Sequence, residues 1–218
     1  MHTKKLEELS LHELAQIHLS RNIFSQPLAD GYIRSVIGQM ILEIGQTSGI
    51  TNTSVFSPIY GAFAILDQVG SVYVNENMAP YPNSAASGVK KALYYFCGIS
   101  DLDEIKAIYG LRNSLIHDGS VLYRGRHKDG KWQGPFHHFI FDKEIKGLVE
   151  LPASSWDGEF SNLSNDKRTK INKNKLIELA SNAVSNAKEL LDEGRLGIVL
   201  KEREIELYYK YLFHSKTP

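Results

Sequence analysis

Apolar side chains recur at three- and four-residue intervals along most of this chain, and at closer alternation after Gly119. The first rhythm predicts helices with one buried face, the second predicts strands. Residues 4–20 carry Leu6, Leu9, Leu14 and Ile17 on one stripe with Lys and Glu opposite. That is an amphipathic helix, expected on the surface or in a dimer contact ahead of the core. Pro27 and Asp30-Gly31 break the pattern. A helix over about 31–47 places Ile33, Val36, Ile37, Met40 and Ile44 on one face. The next, about 58–74, opens on Ser57-Pro58, a capping residue and a first-turn proline. Its buried face should hold Ile59, Phe63, Leu66, Gly70 and Val74, with Asp67 as a polar intruder. A proline-bearing loop at 75–83 precedes helices at about 85–97 and 101–118, stopped by Gly98 and Gly119.

Beyond Gly119, segments 121–128 and 131–141 are rich in β-formers and flank Asp129-Gly130, a two-residue hairpin signal. A short third strand fits 148–151. Residues 152–170 are polar and turn-rich and read as a surface loop. Helical spacing returns over 173–193, with Leu176, Leu179, Ala180, Ala183, Val184, Ala187, Leu190 and Leu191 facing inward, and a last helix is expected over 196–213. The expected architecture is mainly α: one domain over 1–218, an antiparallel helical bundle with a β-hairpin and loop inserted at 120–170. Helical extensions at 1–26 and 195–218 flank it.

Composition narrows the function by exclusion. The 25 basic and 25 acidic side chains cancel, so any attraction to a polyanion must come from local patches. The single cysteine, Cys97, rules out an internal disulfide or a cysteine-based metal cluster and fits a reducing compartment. Its apolar run, Tyr94-Tyr95-Phe96-Cys97, suggests core rather than nucleophile. No apolar run reaches the length of a membrane span, and the N-terminus lacks a signal-peptide core, so a cytoplasmic protein is expected. Serine-hydrolase, phosphate-loop and dinucleotide patterns are missing. His137 and His138 are neighbours in an expected strand and point to opposite faces, so no metal site and no cofactor is expected.

Two features remain. At roughly 100° per residue, Arg112 falls in the middle of the apolar stripe formed by Leu102, Ile105, Ile108, Tyr109, Leu115 and Ile116. A guanidinium keeps its charge, so a buried one needs a carboxylate, a phosphate or an interface. Asp67 is a candidate partner. Alternatively, Arg112 snorkels to water and His117 merely caps the helix C-terminus before Gly119. The second feature is the hairpin, where Arg124, Arg126, Lys128 and Lys131 interleave with Tyr123, Trp132 and Phe136. Cations among aromatic faces suit single-stranded nucleic acid; the same charges could instead only protect a sheet edge. A second basic run, Lys167, Arg168, Lys170, Lys173 and Lys175, could bind phosphates or simply be solvated.

Arg112-Asn113-Ser114-Leu115-Ile116-His117, at the end of a core helix and followed by Gly119, resembles the HEPN family (higher eukaryotes and prokaryotes nucleotide-binding). The pattern of that family is an Arg, four to six residues and a His, often with Asn directly after the Arg. The resemblance covers one helix in detail and, in outline, residues 31–120 and 173–193. It implies a homodimer in which two motif helices face each other, and in many members a metal-independent endoribonuclease with a composite site in that cleft. His117 would then act as acid or base, Arg112 would hold the phosphate, and Asn113 would orient the substrate or His117. A toxin or phage-defence role is implied, with RNA as substrate and an antitoxin or nucleotidyltransferase as candidate partner. The alternative is a non-catalytic dimeric module that binds a nucleotide or a protein.

Overall fold

Seven α-helices and eleven short strands form among residues 4–216, which the computed structural model describes. The expected terminal extensions reach beyond these at 1–3 and 217–218, which lie outside the described residues. The chain divides into two units, 1–98 with 180–218 and 99–179. Helices dominate, but four small sheets replace the expected bundle with a single hairpin.

The first unit begins with a 3-10 turn, Leu6–Glu8, and then α1, Leu11–His18. Ser10 separates them. Its hydroxyl accepts the Glu13 N–H at 3.3 Å, and the Glu13 carboxylate accepts the Ser10 N–H at 2.9 Å. This reciprocal cap starts a new helix, so 4–20 is not one element. Leu6, Leu9, Leu14 and Ile17 are all buried, which makes this segment core rather than surface. The helix expected from residue 31 starts five residues later. Gln26–Leu28 (β1) and Gly31–Ser35 (β2) form a hairpin, with Ile33 and Ser35 turned in while Tyr32 faces out. That period-two run is too short to stand out before the helical rhythm takes over. Ser35 then accepts the Gly38 N–H at 2.9 Å and opens α2, Val36–Ser48.

Helices α3 (Ser57–Val72) and α4 (Gly88–Phe96) cross where neither carries a side chain. A Cβ on Gly70 would strike the Gly88 carbonyl, and one on Gly88 would strike the Asp67 carbonyl. Asp67 gains a local role here, because its Oδ1 accepts the Val89 N–H at 3.2 Å in the first turn of α4. The expected helix over 196–213 is a correction in three parts. Leu196–Ile198 (β10) pairs with Tyr73–Asn75 (β3), only Arg203–Tyr211 (α7) is helical, and Leu212–Lys216 (β11) pairs with β2. Long-range backbone bonding to two strand edges overrides local helical spacing in these short runs.

The second unit contains α5, Leu102–Asp118, with a four-stranded sheet ordered β4-β7-β9-β8. Its strands are Leu122–Tyr123 (β4), His137–Phe141 (β7), Val149–Glu150 (β8) and Arg168–Ile171 (β9). The Asp129-Gly130 hairpin is real but shorter than expected, Arg126–Lys128 (β5) against Lys131–Gln133 (β6). Both residues of its turn have positive φ, 52° and 76°, as such a turn requires. Strand β9 lies in the stretch read as loop, and runs parallel to β7. Thr169 and Ile171 face in, while the charged Arg168 and Lys170 mask the alternation. Asn172 follows, buried, and accepts the Lys175 N–H at 3.2 Å to start α6, Lys173–Asp192. Its amide also donates to the carbonyls of Lys143 and Ile145 at 3.2 and 3.3 Å.

Candidate functional site

Helix α5 carries the Arg112–His117 motif in its last two turns. Asp101 starts the helix by accepting the Asp103 and Glu104 N–H groups at 2.8 and 3.4 Å. Gly119, at φ +59°, ends it in the left-handed conformation that only glycine adopts cheaply. The buried side is Ile105, Ala107, Ile108, Gly110, Leu111, Ser114 and Leu115. Leu102 and Ile116, expected on the buried stripe, are 51% and 43% exposed. The reason is size. Ala107, Gly110 and Ser114 let neighbours approach, and a Cβ on Gly110 would lie 2.8 Å from the Tyr123 ring on β4. The helix therefore turns its small residues inward, and Arg112 moves from the middle of the buried face to its edge, half-buried.

From that edge the motif closes on itself. Arg112 Nη1 donates to Asn113 Oδ1 at 3.1 Å and lies 3.0 Å from His117 Nε2. A guanidinium only donates, so in this contact Nε2 is the acceptor. His117 is exposed and Asn113 half-buried. All three expected site residues thus share one solvent-facing corner, with a permanent cation beside a ring nitrogen able to accept a proton. His117 lies in the last turn of α5, which Gly119 closes by donating its N–H to the Leu115 and Ser114 carbonyls.

The hairpin brings together only some of its expected residues. Cross-strand partners share a face, and the register pairs Arg126 with Gln133 and Lys128 with Lys131. Arg126, Lys128 and Lys131 therefore form one exposed cationic face. Arg124 departs from them. Its guanidinium lies between the rings of Trp132 and Phe160, 4.8 and 5.1 Å from their centroids. Of the aromatic residues expected to interleave with these charges, only Trp132 is exposed. Tyr123 packs toward His137, and Phe136 lies against Trp156. Phe160, in a 3-10 turn of the polar segment, carried no sequence signal because its partners come from distant strands. In the second basic run, Lys170 is tied to Glu150 at 2.7 Å and Lys175 bonds to the Lys146 carbonyl.

Two buried histidines lie outside the motif. His18 Nδ1 is 2.8 Å from the Tyr73 hydroxyl, and burial lowers its pKa to about 4. His137 turns inward, as its neighbour His138 does not. Its Nδ1 is 3.0 Å from Thr169 Oγ1, and burial, partly offset by the Asp103 charge, holds it near about 4. Burial pushes the Cys97 thiol up to about 12, which removes it as a nucleophile at neutral pH. Among the described residues no group of three or more His, Cys, Asp or Glu could hold a metal ion. No helix there is long and apolar enough to cross a membrane. No family model, curated protein or solved structure matches the chain. The geometry of α5 therefore carries the functional reading by itself.

Proposed function

We propose that the chain is a metal-independent endoribonuclease of HEPN type, acting through Arg112, Asn113 and His117. The observation that carries this reading is the 3.0 Å contact between His117 Nε2 and the Arg112 guanidinium at an exposed helix end. As base, the imidazole accepts the proton of a ribose 2′-hydroxyl as the oxygen attacks the adjacent phosphorus. The P–O5′ bond then breaks, and the departing oxygen takes a proton from an acid. Arg112 swings its donors onto the phosphate and offsets the charge that grows there. One chain offers one motif histidine, so separate base and acid call for two copies of His117. Leu102 and Ile116 are exposed apolar side chains two heptads apart on α5, a spacing that suits helix-to-helix pairing in a homodimer. The cationic face of Arg126, Lys128 and Lys131 suits the phosphate backbone of an RNA.

Incubating the protein with RNA in EDTA tests the proposal, beside Arg112→Ala and His117→Ala. Cleavage leaving 2′,3′-cyclic phosphate ends is expected, slowed by each substitution by roughly 10²–10⁴-fold. Undiminished cleavage in both variants would remove the motif from the mechanism. A toxin or phage-defence role would show as growth arrest on expression that His117→Ala lifts.

One observation favours a second reading. Arg112 bonds to both Asn113 and His117 within a single chain, which makes a fixed surface as well as a catalytic corner. In that case the chain is a dimeric binding module for a nucleotide or a protein. Ile116→Asp would dissociate the dimer, with no RNA cleavage by the parent to lose.

A further inference from the structure

Buried polar atoms nearly always find hydrogen-bond partners, and those that do not call for an explanation. Among the described residues, three such atoms belong to one face of the four-stranded sheet: Arg124 Nε, His138 Nδ1 and Arg168 Nε. The register brings two of them, His138 and Arg168, together. Leu122, His138 and Arg168 form one cross-strand row over β4, β7 and β9. Tyr123 and His137 occupy the opposite face, against α5, so His138 and Arg168 point outward. Arg124 follows β4 on the outward side too, since it touches Phe160, which contacts Trp156, which contacts Phe136 beside β7.

The charges on this face do not cancel. Glu150 and Asp142 are both engaged by Lys170, at 2.7 and 3.8 Å. Neither Arg124 nor Arg168 makes an ion pair among the described residues. Arg168 and the His138 imidazole thus sit side by side, with the Arg124 guanidinium on the same face just past the end of β4. Burial and the Arg168 charge both lower the pKa of His138, so it is the uncharged member of the cluster. Water alone would satisfy donors but would not offset two guanidinium charges. An oxyanion would do both, and a tetrahedral one presents several acceptors to converging donors.

We propose that the outer face of this sheet is a phosphate-binding site held by Arg168, His138 and Arg124. The ligand is a phosphate group, free or esterified, and the exposed Trp132 and Phe160 rings on either side of Arg124 suit a base where one is attached. The site does not depend on Arg112 or His117 and would stand if that motif were inert.

Nuclear magnetic resonance titration of the whole chain tests it, following the His138 ring and the Trp132 indole. Three probes are used: inorganic phosphate, adenosine 5′-monophosphate, and a short single-stranded DNA that cannot undergo 2′-hydroxyl attack. Saturable shifts of both signals are expected. Binding of phosphate alone marks an ion site, tighter binding of the monophosphate a nucleotide site, and tighter binding of the oligonucleotide a strand-backbone site; each supports the proposal. Arg168→Gln and His138→Gln should each weaken binding by about tenfold or more, the loss of one charge-assisted hydrogen bond. Arg168→Lys, which keeps the charge, should retain part of it. An unchanged Trp156 indole signal checks that each variant folds. Saturable shifts with none of the probes, or binding undiminished in both glutamine variants, would overturn the proposal.

Discussion

At Gly110 an absent side chain decides which way α5 faces. The Tyr123 ring fills the space where a Cβ would sit, at 2.8 Å. Gly110→Ala should therefore force the helix and the ring apart, although alanine is the better helix former. A loss of about 1–3 kcal/mol is expected from this overpacking, read as a lower urea midpoint with an unchanged slope. The same residue explains what could be read at the site and what could not. The spacing of Arg112, Asn113 and His117 placed them on neighbouring faces of one helix, and they do meet there. The buried stripe was misplaced because a count of large apolar residues gives no weight to Ala107, Gly110 and Ser114. Those small residues mark the closest contacts, so Leu102 and Ile116 were assigned to a core they do not enter. Arg124 was grouped with the hairpin cations because charge alone cannot reveal a sandwich between Trp132 and Phe160, which are far apart in sequence.

Between elements, the α3–α4 crossing is the tightest contact in the first unit. Gly70→Ala would drive a methyl group into the Gly88 carbonyl of α4, where backbone rather than a flexible side chain must yield. The expected cost is about 3 kcal/mol or more, above the usual range for overpacking, measured as a fall in midpoint by circular dichroism. Gly70 was legible as a member of the buried face; its role as a crossing point was not, because the partner glycine lies in another helix. Long elements were the most legible. Helices α2 to α6 all appear near their expected positions, since nine or more residues of one rhythm outweigh local noise. The short strands were not. Gly31–Ser35, Leu196–Ile198, Leu212–Lys216 and Arg168–Ile171 span three to five residues each, and their partners lie elsewhere in the chain. Their pairing, not their composition, makes them strands.

Across the whole molecule, each unit contains one buried, neutral histidine, His18 in the first and His137 in the second. In the folded chain burial keeps both from taking a proton until about pH 4, whereas the usual value is 6.5. Between these limits the unfolded chain binds more protons, so stability falls as the pH drops through that window. Above it these groups contribute no slope. Each can cost up to about 3 kcal/mol by the acid end. Urea unfolding at neutral, mildly acid and more acid pH should show the decline, and His18→Gln and His137→Gln should each flatten it. Both tryptophans, Trp132 and Trp156, lie in the second unit, so their fluorescence follows that unit while circular dichroism follows both. A fluorescence transition that ignores His137→Gln but responds to His18→Gln would contradict this assignment. Strand β11 has a consequence for biosynthesis. It closes the free edge of β2, yet it is the last described element to leave the ribosome. At about 5–20 residues per second, β2 waits roughly 10–35 s for its partner. During that interval the nascent chain exposes an unpaired strand edge beside Ile33. A truncation before Leu212 would make that exposure permanent, and chaperone dependence is where such a chain would first differ from its untruncated parent.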